Sequence, residues 1–234
     1  YIYIFIYIYM YENIIAIPYR NRAEHLDYFI KNTVPLLQEY LPNTKVVVVE
    51  QSEGKLFNRG AVLNVAFKEY ENKTKYFITH DVDINPTRDL VKSVYTKEDI
   101  DIYRIYSAHD SSLGGIIKVK HNLLFDINGF PNNIWGWGIE DRALYHRCCI
   151  KNINITRNSM QNFNIRPHIT NAGKYIGEKR RISDMWSNKY ISQLNEQQKE
   201  EMIMSSGLNN VKYTILERKM IHDMVEVIKV EKIF

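Results

Sequence analysis

The sequence predicts an α/β fold with a mostly parallel central sheet flanked by helices, on three observations. Residues 13–18 (N-I-I-A-I-P), 45–50 (K-V-V-V-V-E) and 76–79 (Y-F-I-T) are short apolar runs fit for buried strands. Segments with helical spacing separate them, and strand–helix–strand alternation is the pattern of parallel pairing. A polar cluster follows each run, at residues 19–22, 51–59 and 81–83. Open α/β sheets bind ligands beyond the carboxyl ends of their strands, so these clusters are expected to converge.

The elements follow in order. A helix is expected over residues 21–40, with Leu26, Phe29, Ile30, Leu36 and Leu37 on its apolar face and a kink or break at Pro35. A second, over residues 59–70, buries Leu63, Val65, Ala66 and Phe67. After Pro86 come a helix over residues 87–95, strands over 102–106 and 115–119, and a short helix over 121–127. A longer helix over 140–150 follows a Trp- and Gly-rich stretch. Residues 152–192 are polar with little periodicity and read as long loops, fit for a lid. A helix over 196–205 and strands over 211–216 and 224–230 close the chain. With no repeat and no linker tract, residues 10–234 read as one domain.

The 31 basic and 27 acidic residues leave a formal charge of +4, scattered along the chain. A nucleic-acid protein should instead show a concentrated basic face. Residues 1–9 (Y-I-Y-I-F-I-Y-I-Y) are too short to span a membrane, which takes about 20 apolar residues. They also lack the basic start and small-residue cleavage site of a signal peptide. A TATATA codon repeat translates as alternating Tyr and Ile, so Met10 is expected to be the true start and residues 1–9 a leader without a structural part. Cys148 and Cys149 are adjacent and provide no disulfide framework. No membrane anchor is expected, and the reading is a reducing cytoplasm.

The chemistry gathers in three places. Asp81-Val82-Asp83 sets two carboxylates at a strand end, hard oxygen donors suited to Mn²⁺ or Mg²⁺ shared with substrate phosphates; surface loops also produce this pattern. Pro18-Tyr19-Arg20-Asn21-Arg22 and Phe57-Asn58-Arg59 bring aromatics and guanidinium forks, which match bases and phosphates. Residues 130–142 (F-P-N-N-I-W-G-W-G-I-E-D-R) place Trp135 and Trp137 between Gly136 and Gly138, just before Glu140 and Asp141. That stretch fits an aromatic flap hinged on glycine beside an acid pair that receives a proton from a bound hydroxyl. It also fits a buried Trp cluster whose acids cap the following helix.

Six blocks occur in the order found in the β-1,4-galactosyltransferase family: I-P-Y-R-N-R-x-E-H-L, F-N-R-G-A-x-L-N-V, H-D-V-D, G-G-I, N-G-F-P-N-N-x-W-G-W-G-x-E-D and S-G-L-N-N-V-K-Y. The chain resembles that family over roughly residues 13–230. The resemblance implies a GT-A fold and inverting, metal-dependent transfer of galactose from its UDP-sugar to a carbohydrate acceptor. It implies that Pro18, Tyr19, Arg20, Arg22, Phe57 and Arg59 hold UDP, with Asp81 and Val82 beside the nucleotide. Asp83 and His168 would bind Mn²⁺, although Arg166 or Pro167 stands where relatives have a second histidine. Asp141 would be the base supported by Glu140, with Trp137 as the flap. Trp137, Gly138, Glu140, Asp141 and Arg142 would meet the acceptor. Ser112 stands on the donor side where many relatives carry a bulky Tyr, so UDP-GalNAc is an expected donor beside UDP-Gal. Arg142 and Ala143 replace acids of the relatives, which points to a different, acidic acceptor. A nucleotide-sugar or glycan-binding module without turnover is the alternative function.

Overall fold

The computed structural model of the protein describes residues 10–160, 162–166 and 178–233. The three apolar runs form β1 (Tyr11–Tyr19), β2 (Thr44–Gln51) and β3 (Thr74–His80), each longer than its apolar run. Between them lie α1 (Ala23–Asn32), α2 (Val34–Tyr40) and α3 (Arg59–Glu69). The first helical stretch breaks at Thr33, and Pro35 falls in the first turn of α2, where its missing N–H leaves no helical bond unmade. Asn58 caps α3, its side chain accepting from the Ala61 N–H at 3.0 Å.

The chain continues through β4 (Ile84–Pro86) and a three-residue α4 (Arg88–Leu90) that widens into a π-helical turn over Val91–Tyr95. Then come β5 (Ile102–Tyr106), β6 (Ile116–Lys120), α5 (His121–Asp126) and α6 (Glu140–Ile150). Residues 152–192, expected as loops, contain β7 (Ile155–Arg157), β8 (Phe163–Ile165), α7 (Glu178–Met185) and α8 (Asn188–Ile191). Three-residue strands are too short to show a period, and α7 buries only Ile182, so neither had a signature to read. After α9 (Glu196–Met204), β9 (Thr214–His222) starts later and runs further than expected. It is exposed on both faces and therefore lacks apolar alternation. β10 (Val225–Glu231) ends the described fold.

Among the described residues the main sheet has eight strands in the order β7-β5-β6-β3-β1-β2-β10-β9. Its centre, β3-β1-β2-β10, is parallel. Pro18 sits in β1 opposite Val49 of β2, beyond the last β1–β3 pair, Ala16 with Thr79. A proline is tolerated there because no β3 partner awaits its N–H. Alternate residues serve opposite faces: Ile14, Ala16, Val47 and Val49 pack with α3, α5 and α6, while Ile15, Ile17, Val46 and Val48 pack with α1, α2 and the π turn. Burial on both faces is why these strands read as unbroken apolar runs. A separate small sheet pairs β4 with β8. No helix among the described residues is long and apolar enough to cross a membrane. The expectations for residues 1–9 and His168 lie outside the described residues.

Candidate active site

The strand ends bring the three polar clusters together. Arg20 donates to the Lys55 carbonyl at 2.7 Å and lies 5.3 Å from the Phe57 ring centre, joining the ends of β1 and β2. Arg22 approaches Asp83 at 3.8 Å. Arg59, in the first turn of α3, grips Asp81 with Nε and Nη2 at 3.0 and 2.8 Å. Burial alone would lower the Arg59 value, but Asp81 and Glu140 raise it above that of a free arginine. Its Nη1 is buried without a hydrogen-bond partner among the described residues. Pro18, Tyr19 and Val82, neighbours in sequence of Arg20 and Asp81, are buried.

Asp83 is only 7% exposed and its backbone carbonyl accepts from the Arg166 N–H at 2.9 Å, just past β8. The β4–β8 pairing thus holds residues 163–166 beside the Asp-Val-Asp turn. No group of three His, Cys, Asp or Glu side chains able to hold a metal occurs among the described residues. Asp81 is engaged by Arg59 and Asp83 is approached by Arg22, and both are hard oxygen donors of the kind that suits a divalent cation.

The acid pair opens α6. Glu140 is buried, one carboxyl oxygen lacks a partner among the described residues, and its pKa rises to about 7, chiefly from burial and then from neighbouring Asp141, with Arg59 opposing. Asp141 is held by a loop from across the site. Ser112 donates to its Oδ2 at 2.6 Å, and the Leu113 N–H donates to its backbone carbonyl at 3.1 Å. Arg142 extends to Ser183 of α7, with Nη2 at 2.8 Å from the carbonyl and 2.5 Å from the hydroxyl. One nitrogen of its guanidinium is thus bonded to α7.

Trp137 is half exposed at the tip of the Trp loop. Its carbonyl accepts from Lys179 of α7, and Gly136 N–H donates to the Phe57 carbonyl at 2.8 Å. Gly136 and Gly138 have φ of 76° and 86°, the left-handed region open to glycine. Ile139 has φ 87°, costly for a β-branched residue. It is held there by burial with Ile134, Ala143, Ile182, Trp186 and Met202, a cluster joining the loop to α6, α7 and α9. A cavity of about 250 Å³ opens beyond Trp135 and Lys55, lined also by Ser52, Glu53 and Lys232, and contains none of the expected site acids.

Lys179 was not among the residues expected from the sequence. It lies in a polar stretch without a pattern, and only packing reveals its place. The residues of N-G-F-P-N-N and S-G-L-N-N carry no chemistry legible in the sequence. They interlock. Asn132 Nδ2 donates to the Gly207 carbonyl at 2.7 Å and to Asn210 Oδ1 at 3.1 Å, while its Oδ1 accepts from Asn64 at 2.8 Å. Asn128 and Asn209 exchange bonds of 3.0 and 2.8 Å. The Trp loop thus springs from a fully bonded anchor.

Two consecutive family models match the chain, one described as the N-terminal region of glycosyl transferase group 7 over residues 9–96, the other as the N-terminal domain of galactosyltransferase over residues 97–170. Bos taurus β-1,4-galactosyltransferase 1 is 31% identical over 217 residues, covering 87% of this chain and 50% of that protein. Homo sapiens β-1,4-galactosyltransferase 4 is 36% identical over 154 residues, covering 61% of this chain and 44% of that protein. The chain thus spans about half the length of the relatives it matches. The catalytic domain of Drosophila β-1,4-galactosyltransferase 7, solved with xylobiose, superposes with a TM-score of 0.77 at 22% identity over 94% of each chain. A mutant of the same enzyme, solved with manganese, UDP-Gal and xylobiose, superposes with a TM-score of 0.76 at 22% identity, again over 94% of each chain. The fold is therefore of the GT-A type. Contiguous family models, relatives at this identity and a shared architecture agree: the chain belongs to the β-1,4-galactosyltransferase family.

Proposed function

We propose that residues 10–234 form one catalytic domain that moves galactose, or GalNAc, from its UDP-sugar to a hydroxyl of a carbohydrate acceptor with inversion. The observation that carries this reading is the acid pair at the start of α6, set against the Ser112–Gly114 loop and preceded by a tryptophan between two glycines of positive φ. Asp141 takes the proton of the acceptor hydroxyl while that oxygen bonds to the anomeric carbon. The bond to UDP breaks on the opposite face, and its electrons leave with the diphosphate. A placed base contributes roughly 10²–10⁴-fold. Glu140 lines the site behind Asp141, and Trp137 closes over the reactants.

Arg20, Arg22 and Arg59 surround the strand ends where a diphosphate would lie, with Tyr19 and Phe57 as the aromatic surfaces for a base. Asp83 would hold the divalent cation, Mn²⁺ or Mg²⁺. When bound, such an ion offsets the charge developing on the departing UDP. The Drosophila enzyme's complex with manganese, UDP-Gal and xylobiose supports this choice of donor, ion and acceptor class. The free cysteines, Cys148 buried and Cys149 exposed, fit the reducing cytoplasm proposed from the sequence.

The test is UDP release from UDP-Gal and UDP-GalNAc, in Mn²⁺ and in EDTA, across a panel of sugar acceptors. Acceptor-stimulated release that EDTA abolishes, and that Asp141→Asn lowers by 10²-fold or more, is the expected result. Nucleotide binding with no release on any acceptor would favour the binding module instead.

A further inference from the structure

The Ser112 hydroxyl is already engaged. Ser112 is 5% exposed, and its Oγ–H donates to Asp141 Oδ2 at 2.6 Å, a short charge-assisted bond in a desolvated place. The Gly114 N–H donates to the same Oγ at 3.2 Å, so one lone pair of the oxygen is occupied and its proton is turned toward the carboxylate. Asp141 Oδ1 accepts from the Arg142 N–H at 2.8 Å, and the Asp141 carbonyl accepts from the Leu113 N–H at 3.1 Å. Residues 112–114 therefore pin both the main chain and the side chain of Asp141.

Glycine is required for this approach. A Cβ at Gly114 would lie 2.6 Å from Asp141 Oδ2, and Gly114 has no positive φ that would otherwise call for glycine. Steric clearance for the carboxylate is the reason left. An ionised carboxyl offers about four lone-pair sites. Two are filled by Ser112 and the Arg142 N–H, which leaves room to receive an acceptor proton without breaking the clamp.

We propose that Ser112 is a positioning residue for Asp141: its hydroxyl fixes the orientation of the carboxylate that receives the acceptor's proton, and its effect on donor choice is secondary. This rests on the reading of Asp141 as the base. Without the hydroxyl, Oδ2 loses its only side-chain donor among the described residues, and the carboxyl is free to turn about its side-chain bonds. Misplacing a base by a fraction of an ångström costs rate and leaves donor binding intact.

The experiment compares Ser112→Ala and Ser112→Thr with the native enzyme, using the donor and acceptor that support UDP release. Ser112→Ala is expected to lower kcat about tenfold, leave KM for the UDP-sugar within about twofold and leave the UDP-Gal to UDP-GalNAc preference unchanged. Ser112→Thr, which keeps the hydroxyl, is expected to restore most of the rate. A changed donor preference at unchanged kcat would overturn the proposal in favour of a donor-pocket role. Failure of Thr to rescue would overturn it in favour of a packing role. Asp141→Asn tests the underlying assignment separately: turnover surviving that change would sink the base reading whatever Ser112 does. Crystal structures of the native protein and Ser112→Ala provide a readout independent of turnover. The Asp141 side chain should rotate in the variant, and an unmoved carboxylate would refute the clamp.

Discussion

Glu140 shows what burial does to a single group. Its carboxyl is raised from an ordinary 4.5 to about 7 by desolvation first and by Asp141 second, against the pull of Arg59. A folded-state value above the unfolded one means that the native state binds the proton more tightly. Stability from this group is therefore full below pH 4.5, falls as pH rises to about 7, and stays reduced above it. The shift corresponds to about 3 kcal/mol. Glu140→Gln should remove that dependence: relative to the native protein it should gain stability progressively between these pH values and then level off. Urea unfolding of both proteins from pH 4 to pH 8 measures it, and parallel curves would contradict the assignment. Arg142 makes a different point at the same scale. A cation in place of an acid points, in sequence, to an acidic acceptor, but its guanidinium is bonded to Ser183 of α7.

At the scale of elements, the Trp loop turns on glycines at its tip and is braced by hydrogen bonds at its root. Gly136 and Gly138 supply the turning points, while Asn128 and Asn132 tie the root to residues 203–210. Asn132→Ala removes three hydrogen bonds, to the Gly207 carbonyl, to Asn210 Oδ1 and from Asn64 Nδ2, while each of those groups keeps another partner. A hydrogen bond contributes about 0.5–1.5 kcal/mol net, so the expected loss for three is about 2–4 kcal/mol. Chemical denaturation would reveal it as a lower midpoint at unchanged slope. A loss under 0.5 kcal/mol would show the brace to be dispensable. α7 belongs with this loop: Lys179 reaches the Trp137 carbonyl, Ile182 and Trp186 share an apolar cluster with Ile134 and Ile139, and Ser183 receives Arg142.

For the whole molecule, the last strand matters more than its position suggests. β10 lies between β2 and β9, parallel to the first and antiparallel to the second, with Val225, Ile228 and Val230 buried. Removing residues 225–234 would open the β2 edge and leave β9 without a partner, an invitation to aggregate. The truncated chain should show no cooperative thermal unfolding and should accumulate as insoluble protein. A soluble, cooperatively melting product would mean that the sheet closes without β10. Arg147 acts at the same scale: fully buried, it donates to the carbonyls of Ile127, Asn128, Gly129 and Ser206 and joins α6 to the root of the Trp loop and to the segment after α9.

The alternation of apolar runs and helical stretches determined the parallel core, because strands buried on both faces are apolar through their centres, as residues 14–18 of β1 and 46–49 of β2 are. The order of the motif blocks determined the family and the set of candidate residues, since each block is local and self-contained. Residues 152–192 were misread as loops because β7 and β8 are too short for a period and α7 buries a single side chain. Only the tertiary structure decided which side chains meet. Ser112 and Asp141 are 29 positions apart, Asn132 and Gly207 are 75 apart, and Trp137 and Lys179 are 42 apart. Local sequence specifies backbone preference and burial, whereas a bond between distant residues depends on how the elements pack.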